Sequence, residues 1–151
     1  MVGAIIYIVS CAAIALVLTF IYAMLRPVKN RDELRSWRVM LIIYILTLAA
    51  PYGYSEVLTR LVGANMDVAV THAIDDADIS ATLEYYRVLT YNGTSARVVA
   101  VARAKADWGG TDKPVLALSM TKQGNGWKTD SYRVISSDHL NQDGFTFPPY
   151  Y

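Results

Sequence analysis

The sequence predicts a two-span transmembrane α-helical hairpin followed by a small α+β domain, built from one helix and about four antiparallel strands. Three observations carry that prediction. Two uncharged apolar runs lie near the start, a basic connector joins them, and two glycine-containing turns separate β-rich segments further along.

The first run, VGAIIYIVSCAAIALVLTFIYAML over residues 2–25, has no ionisable side chain apart from tyrosine and Cys11. The second, VMLIIYILTLAAPYGYS over 39–55, is also uncharged. A hydrocarbon core about 30 Å thick requires roughly 20 helical residues, with ~17 as the practical minimum. The first run clears that length and the second reaches it. Pro51 is a kink position, and Val57, Leu58, Leu61 and Val62 keep helical spacing beyond it. The second helix therefore continues past the apolar run or restarts after it.

The connector RPVKNRDELRSWR, residues 26–38, sets Arg26, Lys29, Arg31, Arg35 and Arg38 against Asp32 and Glu33. Short loops rich in Lys and Arg stay cytoplasmic. This makes 26–38 a cytoplasmic loop and places both termini on the periplasmic side of a bacterial inner membrane. Trp37, Tyr52 and Tyr54 fall where amphipathic rings anchor at headgroup level. The rival reading of residues 1–25 is a cleaved signal peptide, which asks for a basic n-region and small residues before the cut. Neither is present, since Met1–Ala4 carries no side-chain charge and the run ends at Leu25-Arg26-Pro27.

Ser10, Cys11, Ala12, Ala13 and Ala15 form a compact patch of small residues in the first run. Small side chains let helices approach closely in lipid. Ser10, Cys11, Ala12 and Ala15 are thus candidate contacts, either for the chain's own second helix or for another integral membrane subunit. Cys11 is the single cysteine, so an intramolecular disulfide is excluded. Neither run contains Asp, Glu, Lys, Arg or His, which argues against a pump or transporter built from this hairpin alone.

Residues 56–151 read as one extracytoplasmic α+β domain. From residue 55 onward there are nine basic and eleven acidic residues, a net charge of −2. That balance has no electrostatic footprint for nucleic acid. A helix is expected near 56–74, followed by strands at 82–91, 95–106, 115–123 and 127–136. Asn92-Gly93 predicts a type I′ hairpin with positive φ at both residues, and Gly124-Asn125-Gly126 predicts a second tight turn. On the second strand Val98, Ala100, Ala102, Ala104 and Ala106 share a face suited to helix packing. The opposite face, with Arg97, Val99, Val101, Arg103 and Lys105, is half basic and expected to meet water or a partner. The segment DWGGTDKP is expected as a loop, and 141–151 as an extended aromatic tail whose Pro148 and Pro149 disfavour a sheet interior.

The element order over residues 56–137, with the closing hairpin GNGWKTDSYRV, resembles cystatin-like and nuclear-transport-factor-like α+β folds. The resemblance implies a helix lying across a curved antiparallel sheet. It is also similar in layout to the membrane-anchored inner-membrane scaffolds of type IV secretion systems, which usually have one span. It implies no role for any named residue.

The motif search points away from an enzyme and assigns no catalytic residue, metal site or cofactor. G-x-S-x-G, S-x-x-K and C-x-x-C are absent. His72 lies near Asp75, Asp76 and Asp78, but zinc needs three or four ligands and neither a Cys nor a second His is nearby. A solvated helix end is the simpler reading. His139 stands apart from these residues.

The expected chemistry is therefore recognition. Arg87, Arg97, Arg103, Lys105 and Arg133, interleaved with Tyr85, Tyr91 and Trp127, form a candidate basic stripe for an acidic protein or lipid headgroups. The commoner explanation for such a stripe is a solvated sheet face. Eleven tyrosines lean towards protein contacts, and Phe145, Phe147, Tyr150 and Tyr151 are the candidate clamp in the tail. The leading expectation is a non-catalytic accessory subunit of a larger inner-membrane complex, embedded in the lipid bilayer beside other integral subunits, with a respiratory or photosynthetic host. The alternatives are a scaffold of a secretion machine and a ligand-binding sensor with a pocket of Tyr85, Tyr86, Trp108 and Trp127.

Overall fold

The computed structural model describes residues 2–25, 36–77, 80–106, 109–137 and 148–150. The elements run α1 (Val2–Leu25), α2 (Ser36–Val62), a 3₁₀ turn (Gly63–Asn65), α3 (Asp67–Asp76), then β1 (Ala81–Tyr91), β2 (Ser95–Lys105), β3 (Thr111–Asp112), β4 (Val115–Gln123) and β5 (Gly126–Ser136). The connector 26–35 and most of the tail lie outside the described residues. The chain forms two compact units that divide at Gly53/Tyr54, within α2.

Two helical stretches, Gly3–Leu25 and Trp37–Asn65, are by length and composition apolar enough to cross a membrane. Pro51 sits inside α2, and the helix runs on to Val62. Tyr7, Cys11 and Ala15 recur every four residues, which stacks them on one face of α1, and all three are buried. The Tyr7 hydroxyl donates to the Leu48 carbonyl at 2.7 Å, and its ring meets Tyr52 edge-on at 6.1 Å. Cys11 and Ala15 are small enough for close helix approach, and Tyr7 adds a polar tie.

In the second unit, β1, β2, β4 and β5 form an antiparallel sheet in that order, with the two-residue β3 also pairing with β2. The sheet has five strands, where the sequence predicts about four. The segment read as a loop contains β3 because Thr111 and Asp112 pair with Lys105 and Ala104. Two residues are too short for any alternation to show. Pro114, which has no N–H, separates β3 from β4 while its carbonyl still accepts from Ala102 at 3.0 Å.

The core lies between α3 and one sheet face. Met66, Ala69, Val70, Ala73 and Ile74 follow the i, i+3, i+4, i+7, i+8 pattern of an amphipathic helix. They pack on Ala96, Val98, Ala100 and Ala102 of β2 and on Leu116, Leu118 and Met120 of β4. Small residues on β2 let the helix sit close to the sheet centre. The helix expected over 56–74 is in fact two helices, interrupted at Gly63–Asn65.

The first hairpin also differs from expectation. The Asn92 N–H bonds the Ser95 carbonyl at 3.1 Å, which leaves Gly93 and Thr94 as the central pair, with Gly93 at φ 90°. The Asn92 carboxamide oxygen accepts from the backbone N–H groups of Thr94 (3.2 Å) and Ser95 (2.7 Å). It thus acts as the turn's acceptor, the Asx geometry that competes with a type I′ turn. At the second hairpin Gln123 pairs with Gly126, and Gly124 takes φ 60°.

Candidate functional site

Two surfaces carry the candidate residues, one on each unit. On the helical unit, Cys11 and Ala15 are buried within the hairpin, whereas Ala12 is exposed and Ser10 half-exposed. The Ser10 hydroxyl returns to the Ile6 carbonyl at 2.8 Å, a bond that satisfies a hydroxyl inside a helix. The small-residue patch is therefore split between contacts within the hairpin and an outward-facing edge.

That edge opens into a groove of about 290 Å³ lined by Ala12, Ala15 and Leu16 of α1 and by Trp37, Met40 and Tyr44 of α2, among others. A second groove of about 420 Å³ shares Leu16, Trp37 and Met40 and extends along α1 past Thr19 and Phe20 to Ala23. The α1 positions 12, 15, 16, 19, 20 and 23 share one helical face. At the α2 end, the Arg38 guanidinium lies 5.6 Å from the Trp37 ring centroid, within cation–π range. The sequence reading placed Trp37 as an anchor and overlooked the groove. The i, i+3, i+4 recurrence from Ala12 to Ala23 was the signal available.

On the second unit, the sheet face opposite α3 carries the basic residues. Arg87 pairs with Val99, Val99 with Ala117, and Ala117 with Arg133, so one cross-strand row runs basic, apolar, apolar, basic. Val99, Val101, Val115 and Ile135 form a second buried cluster, with Leu89 and Ala117 against it. The sequence expects a half-basic face meeting water or a partner, and Val99 and Val101 on it are instead buried. The valines are core, and the charges rim them. Arg97 and Arg103 both remain exposed.

Arg103 is engaged within the unit. A register shift between Leu83 and Tyr85 marks Glu84 as the extra residue of a β-bulge, which re-aims a side chain. The Glu84 carboxylate accepts from Arg103 and from Lys113, each at 3.2 Å. The Lys113 hydrogen bond, joined by the Arg103 bond and the charges of both, holds the Glu84 carboxyl below its ordinary value against a smaller opposing effect of burial. Sequence reasoning missed Glu84, because Lys113 lies 29 residues away. Arg97, by contrast, borders a polar groove of about 310 Å³ near Thr90, Asn92 and Ser119. Of the two candidate arginines it is better placed to meet an anionic group.

The aromatic candidates separate. Tyr85 pairs with Val101 and Tyr86 with Ala100, so successive residues point to opposite faces. Trp127 packs against the α3-side core and meets Tyr91 at 5.9 Å. Tyr85, Tyr86 and Trp127 therefore do not line one pocket, and Trp108 lies outside the described residues. Phe145, Phe147 and Tyr151 also lie outside them, while Tyr150 is half-buried. In the helical unit the Tyr52 hydroxyl donates to the Pro149 carbonyl at 2.9 Å.

His72, Asp75 and Asp76 are exposed on α3, and Asp78 and His139 lie outside the described residues. Among the described residues no three His, Cys, Asp or Glu side chains are grouped to hold a metal. The arrangement offers apolar grooves, a rimmed sheet face and an exposed arginine, which suit binding. No protein-family model, curated protein or solved structure matches the chain.

Proposed function

We propose that the chain is a non-catalytic accessory subunit of a larger bacterial inner-membrane complex, with an energy-transducing (respiratory or photosynthetic) complex as its host. The observation that supports this most directly is the outward exposure of the two apolar helices. Ile5 is 62% exposed, Leu16 59%, Phe20 66% and Leu46 63%. Exposed apolar side chains on this scale oppose solubility in water at about 25 cal/mol per Å², and the opposition vanishes in lipid or against other helices. In this reading the helices cross the bilayer, the connector faces the cytoplasm, and the α+β domain braces the periplasmic side of the host.

Mild-detergent purification of the tagged chain, with mass spectrometry and an absorption spectrum, tests the proposal. Co-purifying redox or pigment-bearing subunits are the expected result. A colourless homo-oligomer, or secretion components alone, overturns it in favour of the scaffold reading. Cysteine accessibility on single-cysteine variants tests the orientation separately, with a label site in 26–35 expected to react only from the cytoplasmic side.

A further inference from the structure

The two grooves on the helical unit have a length, an apolar lining and a neighbouring charge at Arg38 that select one occupant. They adjoin through Leu16, Trp37 and Met40 and follow α1 from Ala12 to Ala23. Eleven residues at 1.5 Å rise give about 16 Å, close to half of a hydrocarbon core about 30 Å thick. The grooves therefore cover the depth of one leaflet. Ala12 lies near the middle of α1 and Trp37 at the start of α2, so the deep end is apolar and the shallow end carries the interface ring.

The geometry points to a bound anionic phospholipid, one acyl chain lying along this groove and the phosphate facing Arg38. Arg38 is exposed, stacks on Trp37 at 5.6 Å and joins no carboxylate among the described residues. Positive charge at one end of an apolar channel is complementary to a headgroup with net negative charge, and a zwitterionic headgroup gains less from it. A partner's transmembrane helix would also fill apolar space, but it would leave this charge without a counterpart. The inference rests on the proposed reading that α1 and α2 cross a bilayer.

The test uses the full chain, first floated with vesicles and then released from detergent for native mass spectrometry. The probe is an equimolar mixture of phosphatidylglycerol and phosphatidylcholine with matched chains. The expected result is one retained phosphatidylglycerol per chain in preference to phosphatidylcholine. One basic residue near a membrane surface is worth about five-fold in binding, so Arg38→Gln should cut the preference by about that factor. Ala12→Phe should fill the groove and reduce retention of both lipids. Melting of each variant by circular dichroism should follow the parent, which separates loss of the site from loss of the fold. Equal retention of the two lipids by the parent overturns the inference, as does unchanged retention in Ala12→Phe. Failure to float overturns the membrane reading itself, whereas flotation without lipid preference overturns the lipid site alone.

Discussion

The hydroxyl of Tyr86 donates a 2.7 Å hydrogen bond to the backbone carbonyl of Gly63. A residue on β1 thereby ties down the turn that separates α2 from α3. A Cβ added at Gly63 would come within 3.3 Å of that same hydroxyl and of Thr59 Cγ2. The contact requires both a tyrosine and a residue without a side chain.

Tyr86→Phe removes one of the two bonds to the Gly63 carbonyl, which keeps the Met66 N–H at 2.6 Å, at a cost of about 1 kcal/mol. Gly63→Ala instead crowds a ring held in place by its own hydrogen bond, and overpacking of this kind costs about 1 kcal/mol or more. Urea unfolding with matched slopes checks both, and the expected outcome is a lower midpoint for each variant.

The same tyrosine sets an alkaline limb. Burial, assisted by the charge of Asp67, raises its pKa above the ordinary 10.0. A group that holds its proton more tightly when folded contributes stability that is complete below its unfolded pKa. That contribution is lost as pH rises through the folded value. Stability of the parent should therefore fall above pH 10.0, and the fall should be shallower in Tyr86→Phe. Denaturant midpoints between neutral and alkaline pH measure the difference.

Glu84 governs the acidic side. Its pKa lies below the ordinary 4.5, so the folded state favours the carboxylate. The stabilising contribution is present above 4.5 and disappears as pH falls through the lowered folded value. Because the pair is solvent-accessible, salt should weaken it. Glu84→Gln is expected to flatten this part of the pH profile at low ionic strength and to change little in high salt. A pH-dependent melting series at two salt concentrations decides the point.

The Thr59 hydroxyl accepts from the Val88 N–H at 2.8 Å while donating to the Ser55 carbonyl at 2.7 Å. Val88 lies on β1, the edge strand beside β2, and covering an outward N–H blunts an aggregation-prone edge. Thr59→Val keeps the shape and removes the acceptor, with an expected loss of about 1 to 2 kcal/mol. Amide hydrogen exchange at Val88 should accelerate more than at Val98, which sits in the sheet interior.

In the hairpin, the Tyr7 bond to Leu48 is the interaction to remove. Polar contacts between helices in lipid are worth about 0.6 to 2 kcal/mol, so Tyr7→Phe should lower the melting temperature in detergent modestly. Cys11→Leu, which adds bulk at a buried position between helices, should lower it further. Reversal of that order would show that the polar tie outweighs the close approach.

Several elements were legible because their cause is local. The two apolar helices follow from runs without charge, and β1, β2, β4 and β5 follow from β-forming stretches bounded by glycine turns. The expected strand ends fall within one residue of those observed, because Gly93 and Gly124 supply backbone conformations that other residues adopt only at a cost. The α3-facing side of β2 was also readable, since Val98, Ala100 and Ala102 alternate with larger or charged residues.

The rest depends on partners distant in sequence. A single helix over 56–74 is consistent with the local pattern, and the break at Gly63–Asn65 involves Tyr86, 23 residues further on. The stripe of Arg97, Val99, Val101 and Arg103 reads on one strand as a face for water or a partner. It becomes a buried cluster with charged edges only when Val115 and Ile135 arrive from two other strands. Glu84 gains its two cations in the same way. Local chain chemistry thus determined the two apolar helices, the four long strands and the turns between them, because propensity, periodicity and glycine conformation act over a few residues. Tertiary structure alone decided which side chains are core, which charges are paired and where grooves remain, because burial and ion pairing exist only between segments that the chain itself keeps apart.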